Sequence, residues 1–298
     1  MKKLSIFIVS ALVTLSAVSS VYAIAGVGFH WGFDFSLSMD DVTKEKVKLF
    51  PESNDPVLGP TLDALKGYDF FSVSRTDWKA SAINFGGKAY IDIIPFIETI
   101  ELSCNFGLWQ YNGLLRYIDV TGTTVTAGGV EPAYKDLHLT LDKLGMPTYI
   151  GLNGTPYAKL QLDATVRKTL LDLWIIKLSG GGGFSTHLAT PLLTASLIED
   201  VLGKSLNDPK TLNALLAGNL GTQVGKDIVQ KIIDEAMGKP VYGMHIILGV
   251  IAKLPVIPVG IYVDGKYMIP FTKYDSDAGD KSVNGWGLLL NGGVSLSF

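Results

Sequence analysis

Cysteine is almost absent: Cys104 stands alone among 298 residues, so neither an intramolecular disulfide nor a cysteine-built metal centre is open to the chain. Charge is sparse as well. Asp, Glu, Lys and Arg make up 18% of the residues, against about 25% in an ordinary soluble protein. The formal net charge of −3 offers no basic footprint for nucleic acid. Beyond residue 23 no apolar run approaches the roughly twenty residues of a membrane-crossing helix. Mean hydropathy is nevertheless positive, at +0.30. A chain this hydrophobic without a spanning helix has one way to occupy a membrane, a closed barrel whose backbone groups bond between strands. Nucleotide chemistry is excluded too. The run Gly180 to Gly183 lacks the lysine and Ser or Thr of a phosphate loop and does not open a helix. No His/Cys/Asp cluster has metal-ligand spacing, so no metal or other cofactor is expected.

The amino terminus predicts export. Lys2 and Lys3 form a short basic region, Leu4 to Val18 an apolar stretch, and Val21-Tyr22-Ala23 a cleavage site. This reads as a cleaved signal peptide over 1–23, with a retained amino-terminal anchor as the alternative. The remainder, 24–298, reads as one domain.

Within it, eight segments alternate with the period of a strand, whose side chains point to opposite faces in turn. From Trp286, the residues Leu288, Leu290, Val294, Leu296 and Phe298 share one face, while Asn291, Gly293, Ser295 and Ser297 share the other. The same pattern runs through Val27–Leu37, Ile83–Ile93, Ile100–Leu108, Pro156–Arg167, Trp174–Phe184, Tyr242–Lys253 and Ile257–Ile269. Segments of this length suit the roughly 9–11 residues with which a tilted strand crosses a bilayer. Tight turns are expected at Pro95, Lys168-Thr169 and Pro255. The other links are long, near 38–81, 110–155, 185–240 and 270–284, so short and long connections alternate. β-rich stretches at Tyr117–Thr126 and Leu137–Leu141 leave ten strands open. Phe96, Trp174 and Phe298 at one end, and Phe35, Phe106, Tyr242, Tyr267 and Trp286 at the other, fit interface girdles.

The third long link carries helical signals. Thr190-Pro191 and Asp208-Pro209 each set a capping residue before a proline suited to the first helical position. Leu193, Leu197 and Val201 form one apolar stripe, and Leu212, Leu216, Leu220, Val224, Ile228 and Ile232 another, with Gly218, Gly221 and Gly225 expected to break or kink it. The pair is expected to pack as a cap outside the membrane. A lid over a hydrophobic ligand site, or burial in the lumen, are the other readings.

The alternation turns His30, Asp34, Lys88, Asp92, Glu101, Lys159, Asp163, Arg167, Lys177, His245, Asp264 and Lys266 inward. Acids and bases are five each before the histidines. Because buried charges require partners, they are expected to form a polar network that fills the lumen. Cys104 is expected to point outward. No motif selects a nucleophile and base among His30, His138, His187 and His245, the middle two placed in loops, so the reading is non-enzymatic.

The signal segment, the eight alternating segments, the alternation of link lengths and the terminal Phe298 together resemble the small outer-membrane β-barrel proteins of bacteria. That resemblance implies an all-β, transmembrane, antiparallel up-and-down barrel, most simply of eight strands, with a helical outer-loop insertion. A soluble periplasmic barrel is the rival fold. The resemblance also implies the outer membrane as location and outer-membrane lipid as surroundings. It implies handling by periplasmic chaperones and by the barrel-assembly machinery, which would read Val294, Leu296 and Phe298. A structural or surface-interaction role leads. A porin-like channel or transporter for small or hydrophobic solutes, with the helical loop as lid, is the alternative. An extracellular ligand or hydrophobic small molecule at the outer loops stays open as a partner.

Overall fold

The computed structural model describes residues 25–53, 56, 58–92, 98–148, 151–173, 175–206, 209–217, 220–234, 240–253, 257–273 and 283–298. The signal peptide over 1–23, the turns at Pro95 and Pro255, the residues Phe96, Trp174 and Asp208, and the suspected breaker Gly218 lie outside the described residues.

Ten strands share one antiparallel sheet. They are β1 (Ala25–Phe35), β2 (Val42–Val47), β3 (Phe71–Ile91), β4 (Thr99–Thr126), β5 (Gly129–His138), β6 (Thr155–Leu173), β7 (Ile176–Ala189), β8 (Val241–Lys253), β9 (Val259–Pro270) and β10 (Gly287–Ser297). Among the described residues the helices are α1 (Leu58–Leu65), α2 (Ala195–Ser205), α3 (Pro209–Leu216) and α4 (Thr222–Asp234). Because β3 pairs with both β1 and β4, the sheet closes. Eight strands form the barrel wall, and β2 and β5 attach only to the far ends of β3 and β4.

The register gives the barrel its dimensions. Starting at Ala25, the paired residues run through Ile91, Ile100, Val166, Gly182, Ile246, Tyr267 and Leu288, and return to β1 at Phe35. One circuit therefore slips ten residues along β1. With strands about 4.8 Å apart and rising about 3.3 Å per residue, that slip tilts them by about 40° and sets a backbone radius of about 8 Å. Such a bore is filled by its own side chains. Where β1 meets β10, the chain ends lock together: Ala25 and Phe298 exchange both backbone hydrogen bonds, at 3.2 and 2.9 Å.

The wall sorts its side chains as the alternation requires. Phe29, Trp31, Phe33 and Phe35 on β1, Tyr242, Met244, Ile246, Leu248 and Val250 on β8, and Leu288, Leu290 and Val294 on β10 are all exposed. So is Cys104. From Tyr242 to Ala252 the outward band is about 25 Å tall at this tilt. That matches the apolar band of membrane barrels.

At the end away from the tight turns, β3 and β4 continue past the barrel and, with β2 and β5, form a four-stranded extension. The long links near 38–81 and 110–155 thus contain β2, β5 and the outer parts of β3 and β4, together with α1 in the first. The β3–β4 register shifts between Thr76 and Lys79, at Asp77, which adopts the left-handed region (φ 56) that aspartate tolerates. Its N–H is held by the Asp41 carboxylate at 3.1 Å. The four helices pack on this extension around one apolar cluster that includes Leu65, Phe71, Leu115, Ile118, Ile198, Leu202, Ile228 and Ile232. Trp109, Tyr111 and Tyr157, at the barrel mouth, belong to the same cluster, so cap and mouth share a core.

Four expectations are corrected. The β6–β7 turn lies beyond Leu173, not at Lys168-Thr169, because a register shift after Thr169 hides the period while Leu171 and Leu173 still pair with Leu178 and Ile176. Thr190 does not cap a helix: it extends the sheet, exchanging hydrogen bonds with Ala158. The cap of α2 is Thr194, whose side chain accepts the Leu197 N–H. Gly225 does not break α4; it lies inside the helix where a side chain would strike Leu144. His187 lies within β7 and His138 ends β5, so neither occupies a loop.

Candidate functional site

The polar inward positions fill the barrel in three tiers. Nearest the cap, the Lys159 ammonium lies 2.7 Å from Asp34 and donates to Ser36 Oγ at 2.8 Å, beneath the ring of Trp109. In the middle, Lys266 donates to Asp163 and to Ser103, both at 2.7 Å, and Gln161 donates to both Asp163 oxygens. On the same level His30 lies 2.6 Å from the Asn105 oxygen and 3.0 Å from the Tyr262 hydroxyl, and Asn105, Asn291 and Asn84 continue the chain of hydrogen bonds.

Toward the turn end, Arg167 spans two acids. Its terminal nitrogens reach both Asp264 oxygens at 2.7 and 2.9 Å and Glu101 at 2.8 Å. Lys88 closes the ring, 2.8 Å from Asp264 and 3.3 Å from Glu101, with its ammonium 3.5 Å from the centre of the Tyr262 ring. Gly249 makes room for this ring of charges, because a Cβ there would overlap the Asp264 carboxylate and lie 2.8 Å from Arg167.

The buried carboxylates Asp34, Glu101, Asp163 and Asp264 are thus each matched by a buried cation among Lys88, Lys159, Arg167 and Lys266. Charges taken from water survive only when paired and hydrogen-bonded in this way, and removing one partner leaves the other uncompensated. Of the twelve inward residues named from the sequence, ten are buried in these tiers or beside them. Asp92 and Lys177 are not part of the network. They sit at the turn-end rim, where Asp92 accepts from Thr99 at 2.7 Å and Lys177 pairs with Asp172 at 3.0 Å. The strands project past the network at that end, so the alternation continues while the enclosure stops. Sequence reasoning gave no role to Tyr262, Gln161, Asn84, Asn105 or Asn291, although each occupies an inward position of the same period.

One arrangement has the ingredients of acid–base chemistry. His245 lies 2.9 Å from the Thr165 hydroxyl through Nε2 and 2.8 Å from the Ser185 hydroxyl through Nδ1, with Asp163 3.9 Å away. Catalysis also needs a place for a reacting atom beside the nucleophile. Thr165 is 1% exposed, and Ser185 and His245 are 2% exposed, packed among the lumen charges. The arrangement is built as internal packing.

No described group of His, Cys, Asp and Glu could hold a metal ion. Past the Arg167 tier the bore opens into a cavity of about 220 Å³ at the turn end, lined by Tyr90, Thr99, Thr169 and Lys253 among others.

No protein-family model matches the chain, and no curated protein matches it. Two solved structures overlap it. One is the outer membrane protease OmpT from Escherichia coli, 13% identical, with 95% of this chain and 100% of that chain covered at a TM-score of 0.30. The other is a loop L8 deletion mutant of OmpT, an outer membrane protein of Vibrio cholerae, 10% identical, with 91% and 76% covered at a TM-score of 0.18. Overlaps that shallow establish no kinship and assign no activity.

Proposed function

We propose that the chain is an integral outer-membrane barrel protein whose lumen is closed by its own charges and whose cap is a surface-interaction structure. The observation that carries this reading is the pairing of an apolar outward band about 25 Å tall with a lumen of matched ions. A soluble barrel would reverse the two faces. No described helix is long and apolar enough to cross a membrane, which leaves the strands as the membrane element.

The turn end then faces the periplasm and the cap faces outward. Outer-membrane lipid covers the band, and the assembly machinery is the proposed reader of Val294, Leu296 and Phe298. The cap supports a binding role because it is held rigidly. Tyr111 accepts the Leu193 N–H at 3.1 Å, Tyr117 accepts the Leu220 N–H at 3.3 Å, and Arg75 donates to the Leu193 carbonyl. These bonds tie the helical insertion to β3 and β4 and weigh against a swinging lid. Single-channel recording of the refolded protein in planar bilayers is the test. Electrically silent insertion is expected. Steady, reproducible conductance would replace this reading with the porin-like one.

A further inference from the structure

The outward face of the wall is not uniformly bulky. Across β3, β4, β6 and β7 it sinks into a hollow of about 580 Å³ within the apolar band. Small side chains at Gly87, Ala89, Cys104 and Ala164 make its floor. Phe29, paired with Gly87, stands 71% exposed at one end, and Phe184 stands 67% exposed at the other. On the side nearer the cap the rings of Phe85 and Phe106, with centres 5.4 Å apart, close it off.

The hollow has a direction. Gly87, Cys104, Leu162 and Thr186 are paired in one row across the four strands, and such rows climb toward the cap by the same slip that closes the barrel. Three steps of about 4.8 Å at a tilt of about 40° raise Thr186 about 9 Å above Gly87. Thr186 in turn pairs with Tyr242, the cap-end residue of the band. Both side chains carry a hydroxyl that can donate and accept, and neither makes a side-chain hydrogen bond among the described residues. The hollow is therefore apolar at mid-membrane and hydrogen-bonding at its outer end. An ester lipid entering from the outer surface has the same order of polarity, with ester oxygens near the headgroup and methylenes below. A second barrel fits less well, because the exposed rings of Phe29 and Phe184 hold a broad surface off the floor while a single chain lies between them. Within lipid the hydrophobic effect does not separate the hollow from its surroundings, so close packing and the outer hydrogen bonds set the preference.

We propose that this hollow binds one acyl chain of an ester-linked lipid of the outer leaflet, its ester oxygens at the Thr186 and Tyr242 hydroxyls and its tail on the floor between Ala164 and Gly87. The inference rests on the outer-membrane reading and adds to it a defined lipid site.

Native mass spectrometry of the full chain, refolded in detergent carrying a trace of dioleoyl phosphatidylcholine, tests this. One retained lipid per monomer is expected. Ala164→Leu combined with Cys104→Leu fills the floor and should lower the retained fraction at least tenfold. Gly265→Leu, on the outward face of β9 where a Cβ meets Leu290 at an ordinary 3.5 Å, should leave it unchanged. Thr186→Val combined with Tyr242→Phe should lower retention several-fold for the ester lipid and not for its ether-linked analogue, which lacks the carbonyl oxygens. Heat-modifiable electrophoretic migration confirms that each variant folds. A chain that fails to insert into vesicles would overturn the outer-membrane reading itself. An inserted, folded chain that retains no lipid, retains it equally with the floor filled, or retains it only as a dimer would overturn this inference alone.

Discussion

Adding one methyl group at Gly249 tests whether the lumen is held shut by charge matching. A Cβ there would overlap the Asp264 carboxylate and approach an Arg167 nitrogen to 2.8 Å. The carboxylate cannot swing aside freely, because Arg167 holds both of its oxygens and Lys88 holds one. Relief requires a withdrawal of about an ångström, enough to break those bonds. Overpacking alone costs about 1–3 kcal/mol, and removing one partner of a buried pair costs about 3–5. Gly249→Ala displaces the pair without deleting it, so a loss of about 2–4 kcal/mol is expected, roughly 30- to 900-fold in the folding constant. Urea titration of the protein in lipid vesicles, read by tryptophan fluorescence, measures this. The decisive comparison is the Arg167→Met/Asp264→Ala background, which removes one acid and one base and leaves Lys88 with Glu101. There the same methyl group should cost less than about 1 kcal/mol, because the volume it needs has been vacated. An equal penalty in both backgrounds, or none in the parent, would refute the reasoning.

Gly225→Leu should detach α4, since a Cβ at this position already comes within 2.6 Å of Leu144; limited proteolysis should then cut the cap while barrel fragments persist, and an unchanged cleavage pattern would count against the close packing described. Cys104 faces the apolar surroundings, so a charged maleimide should label it only after unfolding, and rapid labelling of vesicle-inserted protein would contradict the outward register of β4. Hydrogen bonds from Lys44 and Lys46 hold the Asp69 carboxyl below its ordinary range. That contribution is present at neutral pH and lost as the pH falls through the lowered value, so the protection of β2-edge amides against hydrogen exchange, taken relative to the intrinsic rate at each pH, should fall in acid before that of the barrel does.

All eight wall strands were legible because a lipid-facing wall around a charged lumen forces a strict two-residue period. The inward charges followed from the same period. Their partners did not, because Arg167 and Asp264 are 97 positions apart and meet only once β6 to β9 are paired side by side and curved around the bore. Strand β2, Val-Thr-Lys-Glu-Lys-Val, gave no signal, since charges occupy its middle and its pairing partner is the outer half of β3. The helix starts were half legible. Thr190-Pro191 has the composition of a cap, but the Ala158 backbone claims Thr190 first, and Thr194 caps instead. Gly225 had the composition of a breaker and the role of a contact, a distinction set only by the neighbour that fills the missing side chain's space.

Strand β4 runs for 28 residues, about 90 Å of extended chain, from the turn end into the extension that carries the cap, with one register shift against β5 between Asp119 and Thr124. A pull on the cap is therefore delivered along this strand and not across a hinge. Its barrel portion is bonded to β3 on one side and, through a register from Thr99 to Tyr111, to β6 on the other. Load applied in that direction shears many hydrogen bonds at once, whereas a load across the strands would peel them one by one. The molecule is built with the mechanics of a rivet, strongest along its own axis.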